Sequence, residues 1–157
     1  VSQGPDREVD APPPTADPQA ASLHRKWLEM WADGQPPDRE RLDVFALRPW
    51  LGHISVYEAI DGGEDFRIRL EGTRIAQITG EDWTGRTASQ VDETFGTEFL
   101  PVLREALRSA QARFHVIRIY QRKFRAAFRM LLPVRSRADG PVDQILLVIH
   151  LDPGQKP

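Results

Sequence analysis

Two hydrophobic rhythms alternate along the chain, and the points where one gives way to the other mark its elements. Leu23, Trp27, Met30 and Trp31 recur at helical spacing, so a segment from about Pro18 to Ala32 carries them on one face. Asp33-Gly34-Gln35-Pro36-Pro37 stops that helix. Asp43 can cap a short helical turn that ends or kinks at Pro49. A strand is expected over about His53 to Ile60, then a hairpin turn at Asp61-Gly62-Gly63-Glu64. In the next strand, about Asp65 to Glu71, Phe66, Ile68 and Leu70 alternate with Arg67, Arg69 and Glu71. The period changes at Gly72. Ile75 and Ile78 then repeat at helical spacing, and Gly80 sits where a helix C′ glycine belongs.

A longer helix is expected over about Thr94 to Gln111, with Phe99, Val102, Leu103, Ala106, Leu107 and Ala110 on one side. Pro101 either starts it or bends it. Three strands follow, about Phe114–Gln121, Phe124–Ser136 and Val142–Leu151. In the second, Ala126, Phe128, Met130, Leu132 and Val134 form one face, with Arg129, Leu131, Arg135 and Arg137 opposite. The last strand is apolar on both faces. It should be central, with one face in the core and the other under a helix; the tryptophan stripe is its natural cover. The order predicts an α+β fold: a five-stranded antiparallel sheet with helices inserted after strand two and an amphipathic helix at the N-terminal end. Residues 1–19, with Pro12-Pro13-Pro14, show no periodic face and read as a flexible leader; residues 20–152 read as one domain and 153–157 as a tail.

The stretch from Phe66 to Arg86, with Arg69-Leu70-Glu71-Gly72-Thr73 and Gly80-Glu81-Asp82-Trp83-Thr84-Gly85-Arg86, resembles the start of a PAS domain of the small stand-alone bacterial kind. The lead-in Asp43 to Leu51 extends the resemblance upstream, and it covers about Trp27 to Leu151. The resemblance implies a module that senses and relays rather than catalyses. It implies a small apolar or amphipathic ligand between the sheet and the inserted helices, lined by Phe66, Ile75, Ile78, Trp83, Phe95, Phe99, Leu103, Phe128 and Met130. Arg69 matches an arginine of the motif; it either forms a salt bridge or holds a ligand carboxylate. Gly72 would permit a tight strand-to-helix turn, and Asp82 and Thr84 would fix the next turn. Trp83 would be a lid or a wall of the pocket.

Composition narrows the chemistry. The chain has 157 residues, a formal net charge of -2 and no cysteine. That excludes disulfides, thiolate catalysis, thiolate metal sites and flavin–cysteinyl photochemistry, and it suits a cytoplasmic location. No apolar run approaches a membrane span, so no membrane is expected as a partner. The chain opens on Val1 rather than Met, as a trimmed start would. His24, His53, His115 and His150 have no metal-ligand spacing, and haem is not expected; His150 reads as a satisfied core histidine. The acids at turns read as caps. Arg118, Arg122, Lys123, Arg125, Arg129, Arg135 and Arg137, with Tyr120, Phe124 and Phe128 among them, match the pattern of a single-strand nucleic-acid binder. Alternation reads them instead as a solvated strand face, and nucleic acid is not the expected partner.

No catalytic residue and no metal site is assigned. The first expectation is therefore a PAS sensor or adaptor with a small ligand, a signalling partner, or both. The rival is a small hydrolase or isomerase on a cone-shaped α+β fold, which needs paired polar groups inside. A third reading is a structural homodimer through Leu23, Trp27, Met30 and Trp31.

Overall fold

The computed structural model describes residues 6–119 and 125–152. Its sheet is organised around the last strand. β6 (Val142–Leu151) pairs along one edge with β5 (Arg125–Arg135) and along the other with β2 (Ile54–Ile60). β2 forms a hairpin with β3 (Asp65–Leu70), and β5 pairs outward with β4 (Arg113–Ile119). All pairings are antiparallel. β6 is therefore central, as its two apolar faces require.

The sheet has six strands rather than the expected five. The additional one is β1 (Arg7–Val9), drawn from the segment read as a leader; it pairs with β4 to give the order β1-β4-β5-β6-β2-β3. Three residues, of which Arg7 and Glu8 are exposed and Val9 half-buried, carry no readable alternation. Their strand exists only because the edge of β4 offers unpaired backbone groups.

Helices cover both sides. On one side lie α1 (Pro18–Glu29) and the single turn α2 (Val44–Leu47). Asp17 caps α1 by accepting from Gln19 N at 2.9 Å, and Asp43 caps α2 from Ala46 N at 3.0 Å. On the other side lie α3 (Thr73–Thr79), α4 (Ala88–Phe95) and α5 (Phe99–Ser109). The long helix expected over 94–111 is the shorter α5, and Thr94 and Phe95 instead close α4. Gly96 (φ 65°) ends α4 in the left-handed region, and the Asp92 carboxylate reaches across the gap to accept from Phe99 N (2.9 Å) and Leu100 N (2.8 Å). Pro101 falls in the first turn of α5, where a missing N–H costs nothing. Among the described residues no helix is long and apolar enough to cross a membrane.

The tryptophan stripe packs on the sheet of its own domain. Leu23 and Trp27 are buried against Phe128, Met130, Leu132 and Val148, while Met30 and Trp31 are half-buried at the margin. The Trp27 indole donates to Pro133 O at 2.8 Å, and the Trp31 ring meets it edge-on at 5.3 Å. Leu23 and Trp27 therefore leave no surface for a second copy to bury.

The same packing corrects the placement of Phe128 and Met130. Even-numbered positions of β5 face α1 and odd-numbered ones face α3–α5, so both residues lie under α1 and not in the chamber beneath the inserted helices. It also corrects the solvated-face reading of the basic hairpin. Arg129 and Arg135 are buried, because both sides of β5 are covered. Arg135 Nε donates to Pro36 O at 2.9 Å and its guanidinium lies 3.8 Å from Asp38, which pins the loop before α2 alongside the end of β5. The tip residues Tyr120, Arg122, Lys123 and Phe124 lie outside the described residues, as do Val1 to Pro5 and the tail from Pro153.

Trp27→Ala should lower stability by about 3–5 kcal/mol, since it empties a large buried site. Its solution mass should stay that of the parent; light scattering and thermal unfolding together check this, and a changed mass would restore the stripe as an interface.

Candidate functional site

The site is built from the end of β3. Gly72 has ordinary backbone angles (φ −62°, ψ 143°), so the turn itself does not require glycine. The requirement is steric. A Cβ on Gly72 would sit 2.5 Å from Gly52 O and 2.6 Å from Ile54 O. This close approach brings the Gly72–Thr73 entry of α3 against the start of β2.

The residues just before and after α3 are tied together. Thr84 Oγ1 accepts from Glu71 N (3.2 Å), and the Glu71 carboxylate accepts from Trp83 N (2.5 Å). Asp82 accepts from Thr84 N (2.9 Å) and from the Thr84 hydroxyl (2.7 Å), and these bonds hold its carboxyl below the usual range. Glu71 is shifted the other way, upward, chiefly by burial. Gly85 N then donates to Ile68 O (2.7 Å) and Ile68 N to Arg86 O (2.9 Å), so the turn zips onto the free edge of β3.

That framework aims Trp83 inward. Its ring is buried, tilts on Phe95 at 5.3 Å and lies under the Arg86 guanidinium at 4.2 Å. Its indole N–H has no acceptor. Trp83 packs in one apolar cluster with Phe66, Ile75, Ile78, Phe99 and Leu103, with Phe95 half-buried at the side. Seven of the ten residues expected to line a ligand site are therefore together. Phe128 and Met130 are on the far side of the sheet. Arg69 is outside as well: it is half-exposed and its Nε meets Glu58 at 2.7 Å, a surface ion pair of small energetic value.

The structure adds polar members to this side of the sheet that alternation had assigned to solvent or left unremarked. Tyr57 is buried edge-on to Phe99 at 5.8 Å, and burial raises its phenol pKa. Arg129 is buried with its guanidinium 4.6 Å from the Phe99 ring centre and 3.3 Å from Asp6 of the N-terminal arm; its Nε has no partner. His115 lies opposite Arg129 in the ladder. Burial, helped by Arg129 and Arg113, lowers its pKa to about 4, and its Nδ1 is unpartnered. The one signal in the sequence was Arg129 itself, an arginine flanked on its face by the apolar Ala127 and Leu131.

On the α1 side, His150 is buried as expected but not satisfied. Neither ring nitrogen has a partner; the ring stacks on His53 at 4.0 Å, and burial with the His53 charge lowers its pKa to about 4. Among the described residues no group of three His, Asp or Glu side chains could hold a metal ion.

A two-sided antiparallel sheet with three short helices inserted between strands two and three of its main body on one face is the PAS layout. A sequence profile described as "PAS domain" matches residues 16–148. The chain belongs to the PAS family. A solved structure described as an RNA-binding light-oxygen-voltage receptor superposes with a TM-score of 0.52 at 17% identity, over 96% of this chain and 39% of that one. The PAS chain thus spans well under half of that receptor, and the likeness is one of fold. No curated protein gives a match.

Two outcomes test this geometry. Gly72→Ala should destabilise the PAS fold by about 3 kcal/mol, because backbone carbonyls cannot step aside; denaturant unfolding measures it. Acid should also weaken the fold. The unfolded chain protonates His115 and His150 near 6.5, whereas in the folded state they take up protons only near 4, so stability is full above about 6.5 and falls as pH drops toward 4. Glu71, raised by burial, opposes this in part. His150→Phe should flatten the pH dependence of the unfolding midpoint across that window.

Proposed function

We propose that this PAS domain is a non-catalytic sensory module of the cytoplasm that holds a small apolar or amphipathic molecule in the chamber between the sheet and α3–α5, and signals through a protein partner. The observation that carries this reading is the buried Trp83 N–H without an acceptor. An unsatisfied buried donor costs about 1–3 kcal/mol, and a ligand oxygen placed against it would recover that. The donor belongs to a side chain packed in an apolar cluster with Phe66, Ile75, Ile78, Phe99 and Leu103. One polar anchor in an apolar pocket is the usual form of a small-molecule site.

The route outward is short. Trp83 hangs from a turn bonded to both Glu71 and β3, so a ligand that orders Trp83 orders the entry to α3 and the edge of the sheet. For the partner, Val44 and Phe45 on α2 are the most exposed large apolar side chains among the described residues, at 57% and 81%. The enzyme reading finds less support. The histidine on the chamber side of the sheet, His115, lies opposite an arginine and not a carboxylate.

Thermal melts against a metabolite panel test the proposal, with Trp83→Phe as the control. The variant loses the orphan donor, so its ligand-free midpoint should equal or exceed the parent's. A compound that raises the parent midpoint should raise the variant's by clearly less. A panel that moves neither protein sinks the ligand half of the reading and leaves an interaction module.

A further inference from the structure

A groove of about 230 Å³ opens at the other end of the same sheet face, between α5 and the β1–β4 edge. Its walls are Pro101 and Val102 on the apolar side and Glu8, Glu105, Arg113 and His115 on the polar side. It lies apart from the Trp83 cluster; two buried nitrogens of its lining lack partners, and a third lies beside it on the next strand. These are Arg113 Nε, His115 Nδ1 and, one strand further in, Arg129 Nε. Arg113 and His115 are two apart on β4, and His115 faces Arg129 with Cα atoms about 5 Å apart, so the three nitrogens belong to one patch. Guanidinium Nε groups only donate. The patch therefore asks for acceptor oxygen.

The arm supplies such oxygen incompletely. Glu8 Oε1 lies 3.1 Å from Arg113 Nη1, and Asp6 Oδ2 lies 3.3 Å from Arg129 Nη1. Glu105 of α5 holds Arg113 Nη2 at 3.1 Å. With β1 in place three carboxylates face two guanidiniums; with β1 away one carboxylate faces two, and the patch becomes cationic. β1 itself is weakly held. It has three residues, only one of them half-buried, and one neighbouring strand.

We propose that this groove is a second ligand site, for a small amphipathic carboxylate whose head group replaces Glu8 and Asp6 against Arg113 and Arg129 and whose tail lies on Pro101 and Val102. The resident groups are themselves carboxylates, which fits a carboxylate head to the guanidinium forks. The volume is that of about eight waters, enough for a head group and a short alkyl tail. Binding releases β1, so the site couples ligand to the freedom of the N-terminal arm. The inference does not rest on the Trp83 chamber.

Octanoate and octan-1-ol, titrated calorimetrically into the full chain, test it. Octanoate should bind at millimolar concentration or below, and octan-1-ol at least tenfold more weakly. Arg113→Gln should weaken octanoate about tenfold, the loss of one charge-assisted contact. Glu8→Gln, at an exposed position, should tighten it by removing the competitor, and octanoate should speed amide exchange at Arg7 and Val9. Equal binding of acid and alcohol, undiminished octanoate binding by a folded Arg113→Gln protein, or slower exchange in the arm would each overturn the groove. None of these bears on the Trp83 test. If Arg113→Gln fails to fold, Glu8→Gln stands alone: unchanged or weaker octanoate binding overturns the proposal.

Discussion

β6 is bonded along both edges and covered on both faces, and this double closure constrains everything else. A strand in that position can accept apolar side chains in every register, so it tolerates no error in which element lies on which side. α1 must supply the cover on one face and α3–α5 on the other. Hydrophobic burial rewards the arrangement as a whole. Moving α1 away would expose Phe128, Met130, Leu132 and Val148 together.

Covering both faces also buries charge. Arg129 and Arg135 sit at odd positions of β5 and cannot reach bulk water freely. Arg135 is fully engaged by Pro36 O, Ala138 O and Asp38, and it serves to hold a loop. Arg129 is engaged in part, by Asp6 alone among the described ion pairs and by the face of Phe99. A buried pair of this kind adds little net stability, since desolvation offsets most of the attraction. The difference between the two arginines is that one is satisfied by the body of the domain and the other by its N-terminal arm.

The motif around Gly72 works by packing and not by unusual dihedral angles. The Thr84 hydroxyl accepts from Glu71 N and the Glu71 carboxylate from Trp83 N, and Gly85 and Arg86 complete the hydrogen bonding of β3. Trp83, in the turn between α3 and α4, is thereby placed by the strand. A single indole, left without an acceptor in an apolar chamber, is the consequence.

Much of the fold was legible in the chain. Period two in Phe66–Leu70 and Ala126–Val134, helical spacing in Leu23–Trp31, and the glycine at 80 follow from local backbone preferences, which a sequence displays directly. Most of the chamber followed too, because Phe66, Ile75, Ile78, Trp83, Phe99 and Leu103 are the apolar members of contiguous elements. Alternation says which residues of a strand share a face, but when both faces are buried it does not say which face is which; so Phe128 and Met130 went to the wrong side and Arg129 was read as solvated. β1 was hidden for a related reason. Its three residues have no preference of their own, and the edge they pair with lies over a hundred positions away in the chain. Local pattern determined the elements and their apolar sides, whereas long-range pairing alone determined the sixth strand, the buried cations and the groove between α5 and the β1–β4 edge.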